Sequence, residues 1–528
     1  MSTSFAEVAK SHVAAQKTMT TTWNGAVSHA TTGTARVDFF YGSVRDVEKE
    51  RFLTMLDASY AEDALHTLKM VAYLRDCRGG KGERDLGRQA LEHLAKTHPK
   101  EISHNLKHYV GEFGRFDDPM ALMNTPAEQD ALELLKQQLL ADLAVLKTDE
   151  DVVDEEKKSL KSISLCAKWI PSEKKALDKK LQMNKKLSRH MGITPAELRK
   201  TYLSPLRKRL GILERLMCAK EWEAIDFNAV PSNAMHIHGK PEHAFQRHQA
   251  ERFAEWKGNL KKEDSDAKVN AKVLFPHQIV GQYMAYGCKE ADPLLEAQWD
   301  VLVEEAKTMG DFSKTLVLSD VSGSMAGWRM EVSIALGLII SSLAQDAYKD
   351  LVLTFETDSK FHHVQGETLF ERVKHLAKAP WGGSTNFTSA FRAVLKLAKE
   401  ANLTSEQMPT RLVVISDMQF NSADNNFETN YEVLRKDFED AGYKVPQVVF
   451  WNLNGSTRDV PVTSDQANVS LISGFSTAMI KSVLFGEEIT PLQTVLNVVT
   501  DPRYDVITLP PSGEPDGEEQ IGGEPELL

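Results

Sequence analysis

Apolar residues recur at helical spacing through the first half of the chain. In RFLTMLDASYAEDALHTLKMVAYLRD, the residues Phe52, Leu53, Leu56, Leu65, Leu68, Val71 and Leu74 fall near one face of a 3.6-residue period, which predicts amphipathic helices. ALELLKQQLLADLAVL and LSPLRKRLGILERLM repeat the pattern. Gly79, Gly80, Gly114, Pro119, Pro171 and Pro231 stand at the joints, where helices stop. Many helices of ordinary length on short joints predict an α-solenoid or bundle over residues 46–307. No fixed-period sequence repeat is visible, so any repeat is structural. Residues 1–45 are rich in Ser, Thr and Ala with weak periodicity. They read as an N-terminal arm, packed on the next domain or partly loose.

The texture changes near Asp311. KTLVLSD, LVLTFETD, RLVVISDMQF and QVVFWNLN are short apolar runs rich in β-formers. Helical patterns lie between them in ETLFERVKHLAK, TSAFRAVLKLAKEA and NYEVLRKDFEDAG, and RMEVSIALGLIISSLAQDAYKD is apolar almost all round. Continuous apolar strands alternating with helices predict a doubly wound α/β domain, its parallel sheet covered on both faces, over residues 311–505. TPLQTVLNVVTDPRYDVI closes it with a helix. Residues 506–528 form an acidic tail. From Pro510 onward it holds Glu514, Asp516, Glu518, Glu519, Glu524 and Glu526 with no Lys or Arg, a composition expected to stay disordered.

Charge changes the picture of the helical half. The formal net charge is -12, which argues against a general nucleic-acid binder. Between Lys157 and Lys220, however, eighteen Lys and Arg face only Glu173, Asp178, Glu197 and Glu214, a local balance of +14. Such a run is either a solvated helix face or an electrostatic footprint for phosphates. Its centre holds Lys185, Lys186, Arg189, Arg199, Lys200, Arg207, Lys208 and Arg209. Upstream, RDCRGGKGER sets Arg75, Arg78, Lys81 and Arg84 around a glycine turn, and FGRFDD sets Arg115 between two phenylalanines. The first can offer cations and backbone N–H groups to phosphate, or simply join two helices. The second can stack bases, or form a core corner with an Arg–Asp pair. His236, His238, His243 and His248 lack the partner spacing of a zinc site. The longest apolar stretch, Ile334 to Ile340, is far too short to cross a membrane. Cys77, Cys166, Cys218 and Cys288 form no CxxC, which fits a reducing compartment, the cytoplasm or also the nucleus.

Three strand-end loops of the second half carry oxygen donors. LVLSDVSGSMAG gives Asp320, Ser322 and Ser324, WGGSTNF gives Thr385 beyond Gly382 and Gly383, and VVISD ends in Asp417. Loops at the carboxyl ends of parallel strands are where open α/β sheets bind ligands. Two carboxylates and three hydroxyls are hard oxygen ligands suited to Mg²⁺ or another divalent cation. The competing readings are helix caps, a serine nucleophile, for which no triad order with His362, His363 or His375 is recognisable, and metal-assisted hydrolysis, for which no general base is evident.

The DxSxS run, the Thr after a Gly-rich turn and the Asp after a strand resemble the von Willebrand factor A domain and its metal-ion-dependent adhesion site. The resemblance implies that Ser322, Ser324 and Thr385 ligate the metal directly or nearly so. It implies that Asp320 and Asp417 act mostly through water, and that one position is left for an acidic group of a partner. Stretches of the first half, TTWNGAVSHATTGTARVDFF, YLRDCRGGKGERDLGRQAL, GEFGRFDD, AKWIPSE, VPSNAM and LFPHQIV, resemble one branch of the Ro-autoantigen (TROVE) superfamily, as do WGGSTNF, VVISDMQF and LISGFSTAMI in the second. That resemblance implies HEAT-like repeats, arranged as a ring in Ro proteins, beside the A domain, and by analogy RNA binding. The expectation is a non-enzymatic RNA-binding scaffold with a Mg²⁺-dependent protein-docking site. The alternatives are a metal-dependent interaction module without RNA, and a metal-dependent hydrolase.

Overall fold

A computed structural model describes residues 19–150, 163–285, 287–355, 359–378, 385–422, 428–483 and 489–511. The chain begins with a hairpin of β1 (Met19–Thr21) and β2 (Val27–His29), and helices follow at once: α1 (Ala35–Gly42), α2 (Lys49–Glu62), α3 (Ala64–Arg75), α4 (Arg84–Thr97), α5 (Pro99–His108) and α6 (Glu128–Glu150). Helical structure therefore begins inside the stretch expected to be an arm. The reason is a buried run, Val37, Phe39, Phe40 and Tyr41, that Ser and Thr neighbours mask in the sequence. Asp63 caps α3 by accepting from the His66 N–H, and Pro99 sits at the start of α5, where its missing N–H costs nothing. Short helices span Cys166 to Asn259, followed by α7 (Pro276–Met284) and α8 (Pro293–Lys307).

The second half is a six-stranded mixed sheet. Its strands are β3 (Thr315–Ser319), β4 (Leu351–Thr354), β5 (Lys360–His363), β6 (Arg411–Ser416), β7 (Gln447–Asn452) and β8 (Val469–Ser473), in spatial order β5-β4-β3-β6-β7-β8. All neighbours are parallel except β5, which runs antiparallel to β4 at the edge. The continuous apolar runs are the buried strands β3, β4, β6 and β7. Strand β5 escapes the apolar pattern because Lys360 and His363 face solvent on an edge. Helices α9 (Trp328–Leu343), α10 (Leu369–Leu376), α11 (Phe387–Glu400) and α12 (Asn430–Asp440) follow the strands, and α13 (Pro491–Val499) comes last. α9 is buried over most of its length, as its all-round apolar surface requires.

The halves share one hydrophobic core. α1 packs against β8 and α13, α13 reaches back to α3, and α7 lies along α9 and α10. Polar struts cross the joint. The Glu296 carboxylate on α8 accepts from Tyr283 Oη at 2.6 Å and from the Leu369 and Phe370 amides at 2.8 and 3.1 Å, which caps α10 from the helical half. Arg503 and Tyr504 both bond the buried Asp76, and Thr508 exchanges bonds with Asn105 on α5. A second small core, with Leu213, Ile225, Phe227, Phe245 and Phe253 at its centre, forms under the short helices and closes on Leu294 of α8. Among the described residues no helix is long and apolar enough to cross a membrane.

Candidate metal centre and cationic face

Strand order reverses between β3 and β6: from β3 the chain steps outward to β4, and from β6 it steps the other way to β7 and β8. A crevice opens outside the carboxyl ends at such a switch point. Asp320 follows β3 directly and Asp417 follows β6 directly, so both carboxylates stand at it. The ladder continues one residue beyond β3, the Asp320 N–H donating to the Ile415 carbonyl at 2.9 Å. Asp320 is fully buried, and Ser322, Thr385 and Asp417 are nearly so, while Ser324 is exposed at the mouth.

Local bonds orient the two carboxylates and hold the loops that carry the hydroxyls. Asp320 Oδ1 accepts from the Ser322 amide at 2.9 Å, which folds the DxSxS loop back on itself, and Oδ2 accepts from Ser416 Oγ at 2.5 Å. The Ser322 and Ser324 hydroxyl oxygens lie 3.1 Å apart. Asp417 Oδ1 accepts from the Gln419 amide at 3.2 Å, and its carbonyl accepts from Thr457 Oγ1 at 2.8 Å. Met418, the next residue, holds φ 63°, a left-handed conformation that costs an L side chain about 1–2 kcal/mol. The carbonyl of Thr385 accepts from the Asn421 amide at 3.0 Å, tying the second loop to the third. Residues 379–384, which include Gly382 and Gly383, lie outside the described residues.

Capping does not account for these side chains. α9 starts after Gly327 with no side-chain cap, the short 3₁₀ turn Gly323–Met325 takes no cap bond from Ser322, and α12 is capped by Thr429. No bond joins Ser322 or Ser324 to a His or Lys among the described residues. His362 contacts Thr354.

The donor set fits a hard cation. Burial, and then the nearby Asp417 charge, push the Asp320 carboxyl up to about 6. Two neighbouring buried carboxylates repel each other, and a divalent ion held between them would relieve that repulsion. Among the described residues no group of three or more His, Cys, Asp and Glu side chains is gathered for a metal. This cluster holds two carboxylates, with hydroxyls supplying the remaining oxygens.

The cationic residues divide into committed and free. Arg75 is buried in a 2.9 Å ion pair with Asp118, which also holds Arg88. Lys81 is 1% exposed; its Nζ donates to the carbonyls of Phe40 and Ser43 and to Ser473 Oγ. Neither can meet a phosphate: the glycine turn faces the core, and Gly80 is there because a Cβ would collide with the Tyr73 carbonyl. Arg115 forks onto Asp117 and lies over the Trp169 ring at 4.0 Å, the core-corner alternative. Arg207 bonds the carbonyls of Ala167 and Ile170, and Lys186 pairs with Glu128. Arg84 pairs with Asp85, Arg199 lies 3.8 Å from Glu173, Arg78 reaches the Glu112 carbonyl, and Arg209 has a partner of its own. Lys185, Arg189, Lys200 and Lys208 are exposed, with no side-chain bond or ion pair among the described residues, and Lys174, Lys175, Lys179 and Lys180 share that state nearby. Lys185 and Arg189 stand four apart on the helix Met183–His190, hence on one face. Lys157, Lys158 and Lys161 lie outside the described residues. The histidines disperse: His236 meets Gln282, and His248 stacks on Trp222 at 4.0 Å.

One feature beside the centre was not anticipated. The β1–β2 hairpin packs on the loop after Asp417, with Trp23 at its tip 92% exposed. The signal was present in Asn24-Gly25 between two short β-prone runs.

Comparison with known proteins finds two family matches. Residues 22–138 and 131–312 match the family described as Domain of unknown function (DUF2828), and residues 314–503 match Domain of unknown function (DUF7788). The Uncharacterized protein L728 of Acanthamoeba polyphaga mimivirus is 33% identical over 506 residues, covering 90% of this chain and 86% of its own length.

Proposed function

The chain belongs to the DUF2828 family, and from that footing we propose that it is a binding scaffold whose sheet end docks a partner through a divalent metal and whose helical half binds single-stranded RNA. The observation that carries the docking reading is the oxygen cluster at the switch point, buried except at Ser324. Ser322, Ser324 and Thr385 would hold Mg²⁺, with Asp320 and Asp417 behind them. The bound ion would supply positive charge for an acidic group of the partner. The resemblance to von Willebrand A domains supports the same assignment, and the resemblance to the Ro superfamily supports HEAT-like stacking of the helices. Titration of the full chain with Mn²⁺ tests it. Wild type binds one ion and captures its partner only with metal; Asp320→Ala does neither. Equal binding by the variant refutes the docking site.

RNA is favoured by a separate observation: Lys174, Lys175, Lys179, Lys180, Lys185, Arg189, Lys200 and Lys208 are exposed and, among the described residues, make no side-chain bond or ion pair. Filter binding of single-stranded RNA at two salt concentrations tests this surface. Affinity that falls steeply with salt supports it, and no binding at low micromolar protein refutes it. Turnover that vanishes on chelation would instead favour the hydrolase alternative.

A further inference from the structure

The N-terminal hairpin is bonded to the metal centre along its whole tip. Thr22 Oγ1 donates to the Phe420 carbonyl at 2.7 Å, the Trp23 amide donates to Gln419 Oε1 at 2.7 Å, and Asn24 Nδ2 donates to the Gln419 carbonyl at 2.6 Å. Gly25 forms an antiparallel bridge with Asn421 and accepts from Ser422 Oγ at 2.8 Å. Thr22 Oγ1 also accepts from the Ala26 amide at 3.0 Å, so this one hydroxyl both closes the hairpin turn and fastens it to the loop. Gly25, at φ 84°, gives the turn a conformation other residues resist.

The loop so held is the one that aims two proposed ligands. It begins at Asp417, turns through Met418 in its left-handed conformation, and at Asn421 bonds the Thr385 carbonyl. A strained turn keeps its shape only where neighbours over-determine it. Here those neighbours come from a segment nearly four hundred residues away in sequence, |i−j| being 398 for the Thr22 bond. We propose that the hairpin Met19–His29 is a positioning element of the metal centre: it fixes the Asp417–Ser422 turn and, through Asn421, Thr385. Thr22 and Asn24 are thus positioning residues that touch no ion themselves. Groups behind metal ligands commonly set affinity by about 10- to 100-fold. The proposal rests on the metal reading of the site.

The test is Mn²⁺ titration of the full chain, followed by electron paramagnetic resonance, alongside metal-free thermal unfolding. Thr22→Val keeps the shape and removes both bonds; it weakens Mn²⁺ binding roughly 10-fold or more. Thr22→Ser restores affinity to the wild-type value. Asn24→Ala, an exposed substitution that leaves the hairpin foldable, weakens binding by a smaller factor. If Thr22→Val and Asn24→Ala bind Mn²⁺ as tightly as wild type while melting earlier, the hairpin is merely structural and the proposal is overturned. If wild type binds no Mn²⁺, the metal reading falls and takes the hairpin's role with it. The two failures are therefore told apart by the wild-type curve.

Discussion

Replacing Lys81 by Met changes how stability depends on pH, and the structure gives the size of the change. The ammonium is sealed between the glycine turn, the Phe40 ring at 4.7 Å and the end of β8. Burial lowers its pKa from 10.5 to about 7, opposed by Glu83. The unfolded lysine keeps its proton up to about pH 10.5, the folded one only to about 7. Between those values the unfolded chain binds more protons, so wild-type stability rises with pH. From pH 7 to 9 the linkage amounts to about 2 kcal/mol. Met keeps the apolar stem but cannot titrate. It also strands the Phe40 and Ser43 carbonyls, a loss of about 1–3 kcal/mol each that does not depend on pH. The slope, not the absolute stability, therefore isolates the lysine. Urea unfolding of both proteins at pH 7, 8 and 9 is expected to show a wild-type gain of about 2 kcal/mol that the variant lacks. Parallel curves would refute the reasoning: they would mean that the three acceptors hold the proton as firmly as water does.

Three other outcomes follow from pairs described above. Asp118→Ala leaves buried Arg75 without a partner and lowers stability by about 3–5 kcal/mol in urea, whereas a change below about 1 kcal/mol would mean that the pair is relaxed by water. Glu296→Gln keeps one acceptor oxygen and turns the other into a donor, so that either the Leu369 or the Phe370 amide faces an N–H; it destabilises by about 1–3 kcal/mol, readable as a lower thermal midpoint. Charge reversal of Lys185 and Arg189 together weakens single-stranded RNA binding and reduces the magnitude of the salt slope by about 1.4, two phosphate contacts at ~0.7 each; an unchanged slope places the RNA elsewhere.

Much of the sheet half was legible because its strands are buried on both faces, so that Leu316–Leu318, Leu412–Ile415 and Val448–Trp451 are uninterrupted apolar runs. Edge strand β5 was not, since half of its surface is wet. The meeting of Asp320 with Asp417 could be read from their places after two strands, but the bonds that aim them could not. Ser416 Oγ on Asp320 is a contact between strands 96 residues apart. The helical half was legible in type and not in the fate of its charges. Nothing near Arg75 in sequence announces Asp118, and nothing near Lys81 announces Ser473. A cation looks the same in a sequence whether solvent or a carbonyl receives it.

The long sequence reach of the bonds that join the two halves has a consequence for how the protein is made. Ser28 bonds Asp459 across 431 residues, and Asn105 waits for Thr508 across 403. A ribosome adding ~5–20 residues per second takes roughly 20–90 s to cover the first of these spans. During that interval the emerging hairpin has no surface to rest on, and the glycine turn around Lys81 has no β8 to seal it. Nascent helices therefore accumulate with an open flank, and the joint between halves closes late, only after the second half has left the exit tunnel. Substitutions in that joint should lower yield in cells more than they lower the stability of whatever protein is recovered.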